Sequence, residues 1–260
     1  MKRYYFTRAL ALGAALCGAA PAFAAPLADD LIRAAPDASA DAVRLALAAT
    51  ECAVAHGQPP AERLAVIDYS RASTEPRLWV FDLTESRLLY REWVAHGRNS
   101  GDNYARTFSN AAESHASSLG LFRTLDTYQG HNGYSLRLDG LEPGFNDHAL
   151  ERAIVMHGAA YVNPEGASAV GRLGRSFGCP ALRPAVTRPL LDTLKNGQYV
   201  FSYYPDSNWL ASSTLLSCGK ATANTAVAVS GDGAKAKDVP ATTRTAAPLA
   251  LTNRAQTVAP

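Results

Sequence analysis

The sequence is poor in sulfur, with four cysteines and two methionines among 260 residues. A disulfide-dense scaffold is excluded, because such folds carry many closely spaced cysteines. No C-x-x-C or H-E-x-x-H spacing occurs anywhere, so no recognised zinc motif is present. Charge of one sign is also lacking: 25 basic residues stand against 23 acidic ones, a formal net charge of +2. Nothing here resembles the basic surface that nucleic acid requires, and a nucleic-acid partner is not expected. Beyond the N-terminus no apolar run approaches the roughly 20 residues that span a bilayer. Aromatic residues are absent from Gly219 to the end.

What is present at the N-terminus is a basic start with Lys2, Arg3 and Arg8, an apolar run from Ala9 to Ala20, and the small-residue pattern Ala22-Phe23-Ala24. This reads as a secretory signal over residues 1–24, cleaved after Ala24. Its removal leaves 22 basic residues against 23 acidic ones, a formal charge of about −1. The expectation is an exported, periplasmic or otherwise extracellular protein with no stable membrane anchor after cleavage. Cys17 follows Leu16 rather than a small residue, which argues against lipid attachment there. Residues 219–260 are rich in Ala and Thr without sustained period, and are expected to be a disordered tail.

Between these ends, residues 25–60 read as a helical extension. DDLIRAA is followed by ADAVRLALAATECAVAHG, which starts after Asp37 and Ser39, places most of Val43, Leu45, Leu47 and Val54 on one face, and stops at Gly57 and Pro59. Residues 61–218 read as one strand-rich domain. LAVIDYS, PRLWVFDL, RLLYREWVAHG, LGLFRTLDTY, GYSLRLDGL, RAIVMHG and QYVFSYY are strand candidates, with a tight hairpin at Thr84-Glu85-Ser86 and one short helix in AVTRPLLDTLKNG. The fold class expected is mainly β, an antiparallel sandwich or partly closed barrel with short helices.

The stretch GRSFGCPAL then poses a chemical question, because Cys179 stands between Gly178 and Pro180. Four fates compete: a packed thiol, a disulfide, a metal ligand and a nucleophile. The neighbours Arg175, Ser176 and Gly178 make poor core material. His131, Asp139, His148, His157 and Cys179 offer ligand atoms but no metal spacing, so neither metal nor cofactor is expected. Three cysteines remain after cleavage, so at least one lies outside any intramolecular pair. Cys52 and Cys218 flank the strand-rich region as a possible staple, which would leave Cys179 free. His157 ends the apolar strand RAIVM and precedes Gly158, placing an imidazole at a strand edge where it can serve a thiol as base. Gly178 beside the nucleophile leaves room for backbone N–H groups to meet an oxyanion. His56, His96 and His115 read as surface or loop residues.

These residues carry a resemblance. HGAAYVNPEGASAVGRLGRSFGCPAL resembles the active-site segment of the L,D-transpeptidase catalytic-domain family, in the branch with an aromatic residue before Gly-Cys and Pro-Ala after it. The likeness extends upstream through FSNAAESHASSLGLF, covering roughly Leu64 to Tyr204. It implies Cys179 as acyl-accepting nucleophile, His157 as general base, Gly158 and Ser176 as site-shaping residues, and Gly178 with Cys179 as oxyanion donors. Arg172, Arg175 and Arg183 are the residues expected to contact a substrate carboxylate. The family's better-known members carry a histidine directly before Gly-Cys, where this chain has Phe177, which is expected to pack beside the nucleophile loop and limit water. The implied partner is the peptidoglycan stem peptide, acylating Cys179 through its third residue and passing to an amine. Water as acceptor would make the same site an L,D-carboxypeptidase, and a wall-binding module without catalysis is the third reading.

Overall fold

A computed structural model describes residues 24–218; the expected signal peptide, apart from Ala24, and the expected tail lie outside them. The N-terminal helical signal is realised as α1 (Ala24–Ala34) and α2 (Ala40–Ala55). Ser39 caps α2, its hydroxyl accepting the Ala42 N–H at 3.3 Å, which offsets one of the unpaired donors of the first turn. The strands are β1 (Arg63–Asp68), β2 (Leu78–Asp82), β3 (Arg87–Glu92), β4 (Val94–Ala95), β5 (Gly120–Gly130), β6 (Gly133–Gly140) and β7 (Val155–Gly158). There follow α3 (Pro164–Val170), β8 (Ala181–Leu182), α4 (Pro184–Leu194), β9 (Tyr199–Tyr203) and α5 (Ser207–Ser212).

All nine strands join one sheet in the order β3-β2-β1-β9-β5-β6-β7-β8-β4. Its two edge strands, β3 and β4, are separated along the chain by Trp93 alone. The sheet therefore curls until its edges meet, which makes the fold mainly β and nearly closed, with short helices added. Two pairings, β1 with β9 and β7 with β8, are parallel, so the sheet is less purely antiparallel than the sequence pattern implies.

Strand alternation splits the apolar residues between two cores. Ala65 and Ile67 of β1 point into the curl with Leu136, Met156 and Val200, where Leu190, Leu191 and Leu194 of α4 fill the interior. Leu64 and Val66 point outward with Trp79, Phe81 and Phe201, and that face is covered by α1, α2 and Trp209 of α5. The N-terminal helices are thus part of the main core. The parallel register places His157 beside Ala181 and Gly158 beside Leu182, which carries the histidine and the cysteine loop to one edge.

Candidate active site

His157 follows Met156 on β7, and because Met156 faces the interior core, alternation turns the imidazole to the opposite face. It is buried, and its Nδ1 lies 3.1 Å from the Gly158 carbonyl. That contact makes Nδ1 the donor and leaves Nε2 as the basic nitrogen. Gly158 is confined: a Cβ there would lie 2.5 Å from the Thr187 hydroxyl on α4.

Cys179 is the free cysteine of the described residues and is half-buried. Its Sγ receives the Val155 N–H at 3.5 Å and lies 3.7 Å from the Ala153 carbonyl. No hydrogen bond joins it to His157 among the described residues; the two approach through backbone, with His157 N–H donating to the Pro180 carbonyl at 3.4 Å. Burial pushes the Cys179 thiol up, against the lowering effects of the Val155 N–H and Arg152. Burial likewise holds His157 below its ordinary value, against the Gly158 contact. Both shifts favour the neutral pair, thiol and imidazole, at rest.

The loop before the cysteine is held by hydroxyls. Ser176 Oγ accepts the Gly178 N–H at 3.1 Å and donates to the Cys179 carbonyl at 2.6 Å. Ser117 Oγ donates to the Gly178 carbonyl at 3.2 Å. Gly178 adopts φ +123, where a Cβ would stand 2.9 Å from the Ala116 carbonyl, so only glycine fits. With the Gly178 N–H committed to Ser176, the Cys179 N–H is the backbone donor left at the nucleophile.

A cavity of about 300 Å³ is lined by Ala112, Glu113, His115, Glu151, Arg152, Ala153 and Phe177, two residues before Cys179. On the far side of Gly158 lies a second, of about 310 Å³, lined by Tyr134, Ala159, Pro184, Thr187 and Arg188 among others. Glu113, His115 and Ala153 all hold positive φ, so three uncommon backbone conformations gather at the first cavity.

The three arginines named from sequence are engaged by the protein. Arg183 clamps Glu92 with two bonds of 2.7 and 2.9 Å. Arg175 donates to the Gly101 carbonyl and to Asp102, both at 2.9 Å. Arg172 donates to the Leu173 carbonyl at 3.0 Å. Two expectations are corrected. Phe177 is 64 % exposed, too open to shield the thiol from water; instead its ring meets His115 at 4.7 Å and carries the Arg98 guanidinium at 4.6 Å. His96 is no surface residue: it is fully buried, with Arg77 donating to its Nδ1 at 2.7 Å. Arg152 did not stand out in the sequence, because its side-chain hydrogen bonds all go to the distant 109–118 segment.

Cys52 and Cys218 are joined by a disulfide, with Cα atoms 5.8 Å apart. His131 and His148 are exposed. Among the described residues, one group of possible metal ligands converges, Cys52, His56 and Cys218. Its two sulfurs are bonded to each other, and His56 Nδ1 is turned to the Cys52 carbonyl at 2.8 Å.

The nearly closed β fold carries a buried imidazole on β7 and, in the loop just before the parallel strand β8, the free thiol. The chain belongs to the L,D-transpeptidase catalytic domain family, whose model matches residues 34–203. The matched stretch takes in α2 as well as the strands. Similar solved structures include an L,D-transpeptidase from Mycobacterium smegmatis, at 14 % identity and TM-score 0.36, covering 56 % of this chain and 60 % of that one. An L,D-transpeptidase from Stackebrandtia nassauensis is 13 % identical with TM-score 0.35, covering 74 % of this chain and 95 % of that one. Mycobacterium tuberculosis L,D-transpeptidase 1 is 12 % identical with TM-score 0.31, covering 56 % and 63 %. The chain thus spans about three-fifths of the first of these relatives. No curated protein sequence matches it.

Proposed function

We propose that the protein is an exported cysteine acyltransferase acting on peptidoglycan stem peptides. The observation that carries this reading is the isolation of Cys179: the other two described cysteines are bonded together, and the free one stands in the loop leading into β8, the strand paired in parallel with that of His157. Export to an oxidising compartment is supported by the same disulfide.

In the reaction, His157 Nε2 takes the thiol proton as Cys179 Sγ attacks the carbonyl carbon of the third stem residue. The developing oxyanion meets the Cys179 N–H. The bond to the terminal D-alanine nitrogen breaks, the imidazolium returns its proton to that nitrogen, and a thioester remains. An amine of a neighbouring stem then attacks the thioester, forming an amide between two third-position residues and releasing the thiol. Because burial holds the resting pair neutral, proton transfer accompanies attack rather than preceding it. Water in place of the amine gives the L,D-carboxypeptidase outcome from the same intermediate.

Incubation with tetrapeptide stem fragments tests the reading. The expected result is D-alanine release with an acyl adduct on Cys179 by peptide mass spectrometry, and dimeric product when an amine acceptor is supplied. One of the structures in the family has been determined in complex with imipenem; a carbapenem is therefore the second probe, expected to modify Cys179 alone. An unmodified Cys179 in folded protein after both probes overturns the assignment.

A further inference from the structure

Beside the nucleophile stands a positive charge that no carboxylate answers. Arg152 Nη1 donates to the Ser109 carbonyl at 2.7 Å and to Ser118 Oγ at 2.6 Å. Its Nη2 donates to Ser114 Oγ at 3.0 Å and to the Ala116 carbonyl at 2.7 Å. All four acceptors are neutral. Several other half-buried arginines meet carboxylates, as Arg183 meets Glu92 and Arg63 meets Asp82. Arg152 forms no such ion pair among the described residues; burial lowers its pKa, and the Cys179 charge opposes that.

A half-buried cation without a counter-ion is costly, so its retention calls for an anion that forms nearby. The nucleophile loop and the segment that holds the thiol lie next to it. Nη2 lies 3.4 Å from where a Cβ would stand on Gly178, the residue preceding the nucleophile. The next residue, Ala153, holds φ 52 and sets its carbonyl 3.7 Å from Sγ, and Val155 sends its N–H to the same sulfur. The four bonds fix the guanidinium in place, so it need not reorganise when charge appears on sulfur.

We infer that Arg152 is a positioning residue that supplies the counter-charge of the Cys179 thiolate and of the anionic centre formed when it attacks. This rests on the reading of Cys179 as the nucleophile. The other groups facing Cys179 cannot fill that part. Tyr69 and Tyr161 are pushed up to about 12 by burial and stay neutral, His157 is held neutral by burial, and Glu113 and Glu151, which line one cavity with Arg152 and His115, carry the opposite sign.

The pH dependence of iodoacetamide alkylation decides it, and the disulfide makes Cys179 the only thiol read once the expected signal peptide is absent. Arg152→Gln is expected to move the alkylation midpoint up by about one pH unit, the low end of what an adjacent opposite charge exerts. Alkylation below the midpoint would then be roughly tenfold slower with an unchanged plateau at high pH. Arg152→Lys should restore most of the shift. Ser118→Ala, which removes a clamp acceptor but keeps the charge, should leave the midpoint in place. Arg152→Met retains the aliphatic stem and makes the same test if the Gln variant does not fold. A midpoint in Gln or Met that coincides with wild type, or an equal shift in Ser118→Ala, overturns the inference. Acylation of wild type by stem peptide is measured separately: its failure removes the nucleophile reading, whereas an unmoved midpoint with intact acylation removes only the role of Arg152.

Discussion

Two regions of this molecule handle sulfur in opposite ways. At the helical end, Cys52 on α2 and Cys218 beyond α5 are bonded across 166 residues of sequence, with Cys52 buried and His56 alongside. At the other, Cys179 packs against the inner apolar cluster, hydrogen-bonds only backbone groups, lies in the field of Arg152 and stays a thiol. An oxidising compartment offers both the same chemistry, so geometry makes the difference. A bridge needs Cα atoms within about 7 Å, and the fold provides that approach once. The bonded pair ties the outer helices to the core, while the free thiol sits among hydroxyl-held loops and uncommon backbone angles. Stability and reactivity have been placed at separate ends.

The largest effect should come from the reactive end. Replacing His157 with Ala is expected to slow acylation of Cys179 by roughly 10²- to 10⁴-fold, the usual consequence of losing a general base, while unfolding changes little. His131→Ala and His148→Ala, both at exposed positions, should acylate at near wild-type rates in the same stopped-time mass assay. Collapse in either of them with survival in His157→Ala would move the base elsewhere and break the comparison.

Cys218→Ser tests the bonded end. Opening so long a loop is expected to cost roughly 2 to 5 kcal/mol in urea unfolding, with Cys179 acylation at 25 °C unaltered. A loss of acylation in folded Cys218→Ser protein would show that the two regions are coupled.

Acid should separate them further. Burial, and then the charge of Arg77, hold His96 down to about 4, below the roughly 6.5 of an unfolded histidine. The folded state therefore binds fewer protons between those values, and the contribution of neutral His96 is complete above pH 6.5 and lost as pH falls toward 4. The difference amounts to about 3 kcal/mol. The His96 carbonyl accepts the Ser176 N–H at 3.0 Å, so amide exchange at acid pH should loosen the nucleophile loop before the stapled helices. His96→Gln should flatten that dependence.

The smallest effect concerns Ser176. Ser176→Ala strands the Gly178 N–H and the Cys179 carbonyl, which should lower stability by roughly 1 to 2 kcal/mol and slow acylation measurably. An unchanged acylation rate would mean that the loop keeps its shape without the hydroxyl.

Much of the scaffold was legible because it is written in short-range patterns. The short apolar, β-branched run LAVIDYS and the strand candidate QYVFSYY appear as β1 and β9, and Ser39 starts α2 where a cap was expected. The short elements were not legible. β8 has two residues, α3 seven and α5 six, too few for a period to emerge, and α5 depends on the Asp206 carboxylate accepting the Trp209 N–H at 2.8 Å. The parallel pairings escaped too, since alternation does not reveal a partner's direction.

At the site, the cysteine, the histidine and their glycines stood out by composition, whereas the setting of each did not. Phe177 reads as a packing residue and is exposed; His96 reads as a loop residue and is buried. Arg152 looks like one more basic residue in ERAIVMHG.

The sequence by itself determined the strand-rich core, the capped helix before it, the odd cysteine in a Gly-Pro frame and the motif of the family, because periodicity, capping and turn chemistry act over a few neighbouring residues. Only the tertiary structure decided that the sheet closes through Trp93, that the loop of Cys179 leads into the strand paired in parallel with that of His157, and that Arg152 brings an unanswered charge near the nucleophile loop. Those depend on segments tens of residues apart meeting in space, where burial changes the cost of a charge and the range of a thiol.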